Sequence, residues 1–300
     1  MKAWLTGLVT TPLLLLATVM MFIPMMLVAL LKLIPLPAWQ RLCSRLLMWI
    51  AESWAQLCRG IFAFFTPVQW DIRGTESLRR DTSYLVICNH QSWVDIPALM
   101  QALNRKTPYF KFFLKQELIW IPFLGLAFWA LDYPFMKRYP KSVLAKRPEL
   151  RGKDMEITRQ ACEKFRHMPV TIVNYLEGTR FTPEKQARQR SPHSYLLKPK
   201  AGGMAFVLGA LGDSLDAILD MTVVYPDQPA PGFGDLLCGR VRKVVVDIRV
   251  LPLTDSLRGD YENDAAYRVA FHQWLKELWQ EKDARIGVIK QELAAEQRQR

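Results

Sequence analysis

No charged residue occurs between Ala3 and Leu31, in the run "AWLTGLVTTPLLLLATVMMFIPMMLVALL". About 20 consecutive apolar residues suffice to cross a bilayer as a helix, so this segment is expected to be a membrane anchor. It is too long for the apolar core of a cleaved signal peptide, and no small-x-small site closes it, so it is expected to be retained. Pro12 and Pro24 leave two forms open, a span or a hairpin that dips into one leaflet, because proline removes a helical hydrogen bond and clashes with the preceding turn. Lys32, Arg41 and Arg45 follow the run while only Lys2 and the terminal amine precede it, which favours a cytoplasmic position for what comes next.

The chain has 300 residues, half of them hydrophobic. That is enough for one sizeable core, and one main domain is expected over residues 67–300, after an anchoring region over 1–66. The net charge of +12 points to an anionic partner, whether nucleic acid, phospholipid headgroups or a phosphorylated substrate. Five cysteines and four histidines are scattered; without a CxxC pair or HExxH, neither a disulfide framework nor a metal site is expected.

Arg45 to Phe65 reads as an amphipathic helix with Leu46, Ile50, Trp54, Leu57, Ile61 and Phe64 on one face. Either it packs on the domain or it lies in the membrane interface. Beyond Pro67, short apolar runs at Tyr84–Asn89, Val170–Leu176, Asp220–Pro226 and Val241–Leu253 read as buried strands. Helices are expected at Ser92–Asn104, Gly152–His167, Gly202–Leu211 and from about Asn263 towards Glu296. This alternation predicts an α/β fold, a mixed sheet flanked by helices. The uncharged segment Leu118–Leu131 is either core or a lipid-facing wall, and Pro183–Ser194 reads as a basic, solvated loop.

The stretch "YLVICNHQSWVDIPAL" places His90 and Asp95 five residues apart. Within one continuous helix they would point about 140° apart. With His90 in a turn after the strand and Asp95 in the first helical turn, the carboxylate reaches back to the imidazole. The same residues also fit a capping box, with Ser92 as N-cap and Asp95 at the third helical position. Downstream, "NYLEGTRFTP" sets Glu177, Gly178, Thr179 and Arg180 just after a strand, where loops of α/β sheets carry sites. "PFMKR" offers Lys137 and Arg138 as a phosphate-binding pair.

"NHQSWVD", "PFMKR", "LEGTR" and "VVYP", in this order from Leu85 to Pro226, resemble the blocks of the glycerolipid acyltransferase family, which includes the lysophosphatidate acyltransferases. The surrounding "KFFLKQELIWIPFLGLAFWALDYPFMKRY", "RGKD" and "CEKF" resemble most the YihG-type bacterial inner-membrane acyltransferases. Leu176 departs from the proline common before the family's Glu-Gly-Thr-Arg.

The resemblance implies direct acyl transfer from acyl-CoA or acyl carrier protein to the hydroxyl of a lysophospholipid, foremost 1-acyl-glycerol-3-phosphate, giving phosphatidic acid. His90 would be the base and Asp95 would fix its tautomer. Arg180 would hold the acceptor's phosphate, with Lys137 and Arg138 as second choices; Glu177 would organise the acceptor site, with Thr179 beside it, and Gly178 would let backbone approach the ligand. The partners would be a phospholipid membrane and the two substrates, without nucleic acid, cofactor or metal, and the place the bacterial inner membrane with the catalytic domain facing the cytoplasm. Two other readings remain: an anchored protein that binds anionic lipid without catalysis, and a hydrolase using Cys88 with His90, although no G-x-S-x-G elbow is present.

Overall fold

The computed structural model describes residues 3–136, 165, 168–211, 214–227 and 230–298. Two long helices come first, α1 (Ala3–Leu31) and α2 (Pro37–Phe65). They pack on each other and precede a mixed sheet. α1 runs through Pro12 and Pro24 without a break. Of the two forms left open, a break within the segment is not seen; the chain reverses at Lys32–Leu36, between the helices.

Six strands form the main sheet: β1 (Gln69–Arg73), β2 (Tyr84–Cys88), β3 (Phe110–Phe112), β6 (Thr171–Tyr175), β7 (Ala217–Val224) and β8 (Lys243–Pro252), in the order β1-β8-β7-β2-β6-β3. Every pairing is parallel except β7 with β8. A separate short pair joins β4 (Leu114–Lys115) to β5 (Phe135–Met136). β2 is buried at every position, because a central parallel strand is covered on both faces and so reads as a continuous apolar run. Leu85 and Ile87 pack with helices α6 (Ala201–Leu211) and α8 (Ala265–Arg298) on one side. Tyr84, Val86 and Cys88 pack with α3 (Asp95–Leu103) and part of α2 on the other.

The four expected strands and the helices over α3, α6 and α8 are present. The helix expected over 152–167 lies, Phe165 apart, outside the described residues. Pro183–Ser194 is not all loop: Pro183–Gln189 forms α5, started by proline at the first helical position and by the Thr182 hydroxyl, which accepts from Lys185 N at 3.3 Å. Its polar sequence carries no apolar periodicity, which conceals it. A short helix α7 (Phe233–Leu237) follows β7.

On α2, the face turned to the protein carries Cys43, Leu47, Ala51, Ala55, Cys58 and Phe62, and Glu52 is buried among them. Leu46, Leu57 and Phe64 of the expected apolar face stay exposed. Small residues let α2 approach its neighbours, and the expected face is divided, since Ile50 is buried and Trp54 and Ile61 are half-buried. Glu52 is matched by Arg80 at 2.6 Å. The segment Leu118–Leu131 folds as a 3-10 turn (Gln116–Trp120) and helix α4 (Leu124–Ala130) beside α1.

Candidate functional site

Three neighbouring parallel strands, β6, β2 and β7, end at one edge, with Cys88 in register with Tyr175 and Met221. The residues just beyond those ends converge. Asn89 is buried, donates through Nδ2 to Val223 O at 2.9 Å and accepts from Val223 N at 2.8 Å, which clamps the end of β2 to β7. His90 follows as the first residue of the turn.

Its main chain is fixed on both sides: His90 N donates to Glu177 Oε1 at 2.8 Å, and its carbonyl accepts from Phe181 N at 2.7 Å. Its ring stacks on Tyr175 with centroids 4.1 Å apart. Nδ1 lies 2.8 Å from Asp95 Oδ2. Since a carboxylate only accepts, Nδ1 carries the proton of a neutral ring and Nε2 keeps its lone pair. The imidazole is thus oriented by a buried carboxyl group.

Asp95 is fully buried. Its Oδ2 also accepts from Gln91 N at 2.8 Å and Ser92 N at 3.0 Å, and its Oδ1 accepts from the Tyr225 hydroxyl at 2.6 Å. The histidine pairing and a capping contact therefore coexist. Ser92, however, is not the N-cap: α3 begins at Asp95 after Val94, and the Ser92 hydroxyl donates to Pro231 O while accepting from Val94 N at 2.9 Å.

Glu177 is fully buried, and its second oxygen accepts from Leu197 N at 2.9 Å. It braces His90 from beneath. Burial pushes its carboxyl up to about 7, against the pull of the two N–H groups. Gly178 has φ of +67°, and the Lys200 side chain lies against it; the position favours glycine for its backbone. Thr179 accepts from Lys185 Nζ at 2.8 Å. Arg180 stacks on Trp93 at 4.3 Å, a cation over an aromatic face. Lys137 and Arg138 lie outside the described residues.

Cys88 is buried at the end of β2, and burial raises its thiol well above the usual range. That disfavours the thiolate a Cys-His nucleophile requires.

His90, Phe112, Tyr175, Gly178, Gly203 and Phe206 line a cleft of about 240 Å³. Trp93, beneath Arg180, borders a separate and mainly apolar groove of about 600 Å³ between α1, α2 and α3, with Leu14, Trp54, Phe62 and Met100 along it. Sequence reasoning passed over Tyr175 and Tyr225. Tyr225 lies inside "VVYP", and its position after a buried strand was the available signal.

The acyltransferase family matches residues 69–226. The mouse 1-acyl-sn-glycerol-3-phosphate acyltransferase gamma is 30% identical over 189 residues, covering 60% of this chain and 46% of that protein. Lysocardiolipin acyltransferase 1 of Gallus gallus is 24% identical over 283 residues, covering 88% of this chain and 66% of the relative. The chain thus spans about half the length of the mouse relative and about two thirds of the chicken one. Among solved structures, the 1-acyl-sn-glycerophosphate acyltransferase PlsC from Thermotoga maritima shares the fold, with a TM-score of 0.52, 16% identity, and 92% of this chain and 94% of that one covered. Since the family match takes in more than half of the chain and contains His90, Asp95, Glu177 and Arg180, this chain belongs to the acyltransferase family.

Proposed function

We propose that this protein transfers a fatty acyl group from a thioester donor, acyl-CoA or acyl carrier protein, to the free hydroxyl of a lysophospholipid, foremost 1-acyl-glycerol-3-phosphate. The observation that carries the reading is the aimed imidazole: Nδ1 held by Asp95 at 2.8 Å, with Asp95 itself held by Tyr225 and two backbone N–H groups. His90 Nε2 takes the proton of the acceptor hydroxyl as its oxygen attacks the thioester carbonyl. The carbon–sulfur bond breaks, and the imidazolium returns the proton to the departing sulfur. Asp95 stabilises the imidazolium between those two steps. An activated thioester makes an enzyme nucleophile unnecessary, in keeping with the buried Cys88.

Arg180 binds the acceptor's phosphate with a forked, permanently charged guanidinium, and Trp93 holds it at the rim of the apolar groove. The YihG-type assignment and the inner-membrane location rest on the sequence blocks and the apolar N-terminus. The test is to incubate membranes containing the protein with a panel of lysolipids and labelled acyl-CoA or acyl carrier protein and to identify products by mass. Lysophosphatidate is expected as the best acceptor, and Arg180→Ala is expected to raise the acceptor KM with little change for the donor. Absence of any acylated lysolipid overturns the reading.

A further inference from the structure

The segment between β4 and β5 has no role in the chemistry above, yet its surface is the reverse of a soluble protein's. From Leu118 to Leu131 there is no charge. Trp120 is 84% and Phe123 70% exposed, and Leu124, Leu126 and Trp129 are exposed as well. A contiguous apolar patch of this kind marks an interaction surface. Its shape is built in: Phe123 sits at φ +62°, a region bulky residues avoid, and a Cβ on Gly125 would fall 2.0 Å from Ile119 O. The tight turn directs the Phe123 and Trp120 rings outward.

What covers the patch follows from its neighbour. Phe123 meets Phe22 of α1 edge-on, with centroids 5.5 Å apart. α1 has a mean hydropathy of 2.6 over its most apolar window, of which only 22% is buried, and Leu16, Met20, Ile23, Leu27 and Leu30 face outward. The two exposed surfaces are continuous, so the phase that covers α1 covers this segment too. At the far end, Asp132 pairs with Lys32 at 2.5 Å, at the α1–α2 turn, tying the segment to the helical hairpin. On its other side it is joined through β4 to Phe112 and Phe113, which wall the His90 cleft.

We propose that residues 118–129 are a second lipid-inserted element, a wedge that enters the bilayer beside α1 and sets the angle at which the His90 cleft meets the lipid surface. Trp120 and Trp129 suit the headgroup boundary, where amphipathic rings accumulate. The proposal concerns lipid contact and stands apart from the chemistry assigned to His90.

It is tested on the full chain reconstituted in vesicles of phosphatidylethanolamine and phosphatidylglycerol. Phe123→Cys and, separately, Trp120→Cys carry an environment-sensitive thiol dye; Glu262→Cys, on the sheet domain, is the reference, and unaltered protein gives the background. Dye at 123 and 120 is expected to be quenched by nitroxide-bearing lipid and protected from aqueous iodide, and dye at 262 to show the reverse. Iodide quenching at 120 and 123 equal to that at 262 overturns the proposal. So does protection that requires an added protein rather than lipid. If Phe123→Cys does not fold at its unusual φ, Trp120→Cys alone decides.

Discussion

The strand-end site and the N-terminal hairpin use apolar and polar residues in opposite ways. Around the sheet, leucine, isoleucine and valine are inside, and the two buried carboxyl groups of the site have partners: Asp95 takes four donors and Glu177 two. In the hairpin many large apolar side chains face outward, while Thr6, Thr10, Ala17, Ser44 and Ala51 are buried beside Met25, Leu47, Ile50 and Phe62. The same helix-packing rules operate in both. The expected membrane anchor accounts for the difference, for a residue is placed by the contrast between its two surroundings, and a hydrocarbon exterior would remove the drive to bury leucine.

The largest effect should come from the site. His90→Ala is expected to lower acyl transfer by on the order of 10²–10⁴ while leaving the melting transition in place, read from initial rates and circular dichroism on the same preparation. A folded variant with substantial activity would remove the base from the site half of the contrast.

Next comes a buried charge under the sheet. Lys282 is fully buried within the apolar stripe of α8 and pairs with Asp220 at 2.6 Å, while Arg249 holds the other Asp220 oxygen at 2.7 Å. Lys282→Met leaves Asp220 half matched and should cost about 3–5 kcal/mol, measured by denaturant unfolding in detergent micelles. A neutral result would show that this half tolerates unpaired polarity.

Glu177 should reveal itself through pH. Its carboxyl is raised from 4.5 to about 7, so the folded state favours the protonated form. Its contribution to stability is full below about 4.5 and is lost as pH rises through 7, amounting to roughly 3 kcal/mol. Between pH 5 and 8 the ordinary protein should lose stability that Glu177→Gln does not. Parallel curves for the two proteins would detach Glu177 from this behaviour.

The smallest effect belongs to the outer face of α1. Leu16→Gln touches no core residue and should change unfolding in micelles by no more than about 0.5 kcal/mol, yet lower the fraction retained on vesicles after carbonate washing. A large loss of stability in micelles would mean that this face is covered by protein.

How much of this was legible in the sequence depends on which surroundings each residue meets. β2, β6, β7 and the central part of β8 are apolar along nearly their whole length because helices cover both faces, so a run alone reveals them. β1 is an edge strand, "QWDIR", half exposed, and its alternation of Trp70 and Ile72 with polar residues is a weaker signal. β3 has three residues and no periodicity to detect. α2 was legible as a helix but not in its orientation: both packing on the domain and lying in the interface were open, and the apolar stripe divides, with Ile50 buried and Leu46, Leu57 and Phe64 exposed. The His90–Asp95 pair could be read because both lie in one turn. The contact of Tyr225 with Asp95 could not, although "VVYP" marked the place, because it spans 130 residues through a register that exists only once β7 has paired with β2.

The crowding of Asp95 has one further consequence, for proton traffic. Three N–H groups meet Oδ2 and a phenol meets Oδ1, so the carboxyl is held in one orientation from both of its oxygens and the imidazole facing it has one place to dock. In the proposed transfer the imidazole carries one proton from the hydroxyl and the same proton back to sulfur, so that a single hydron is in flight.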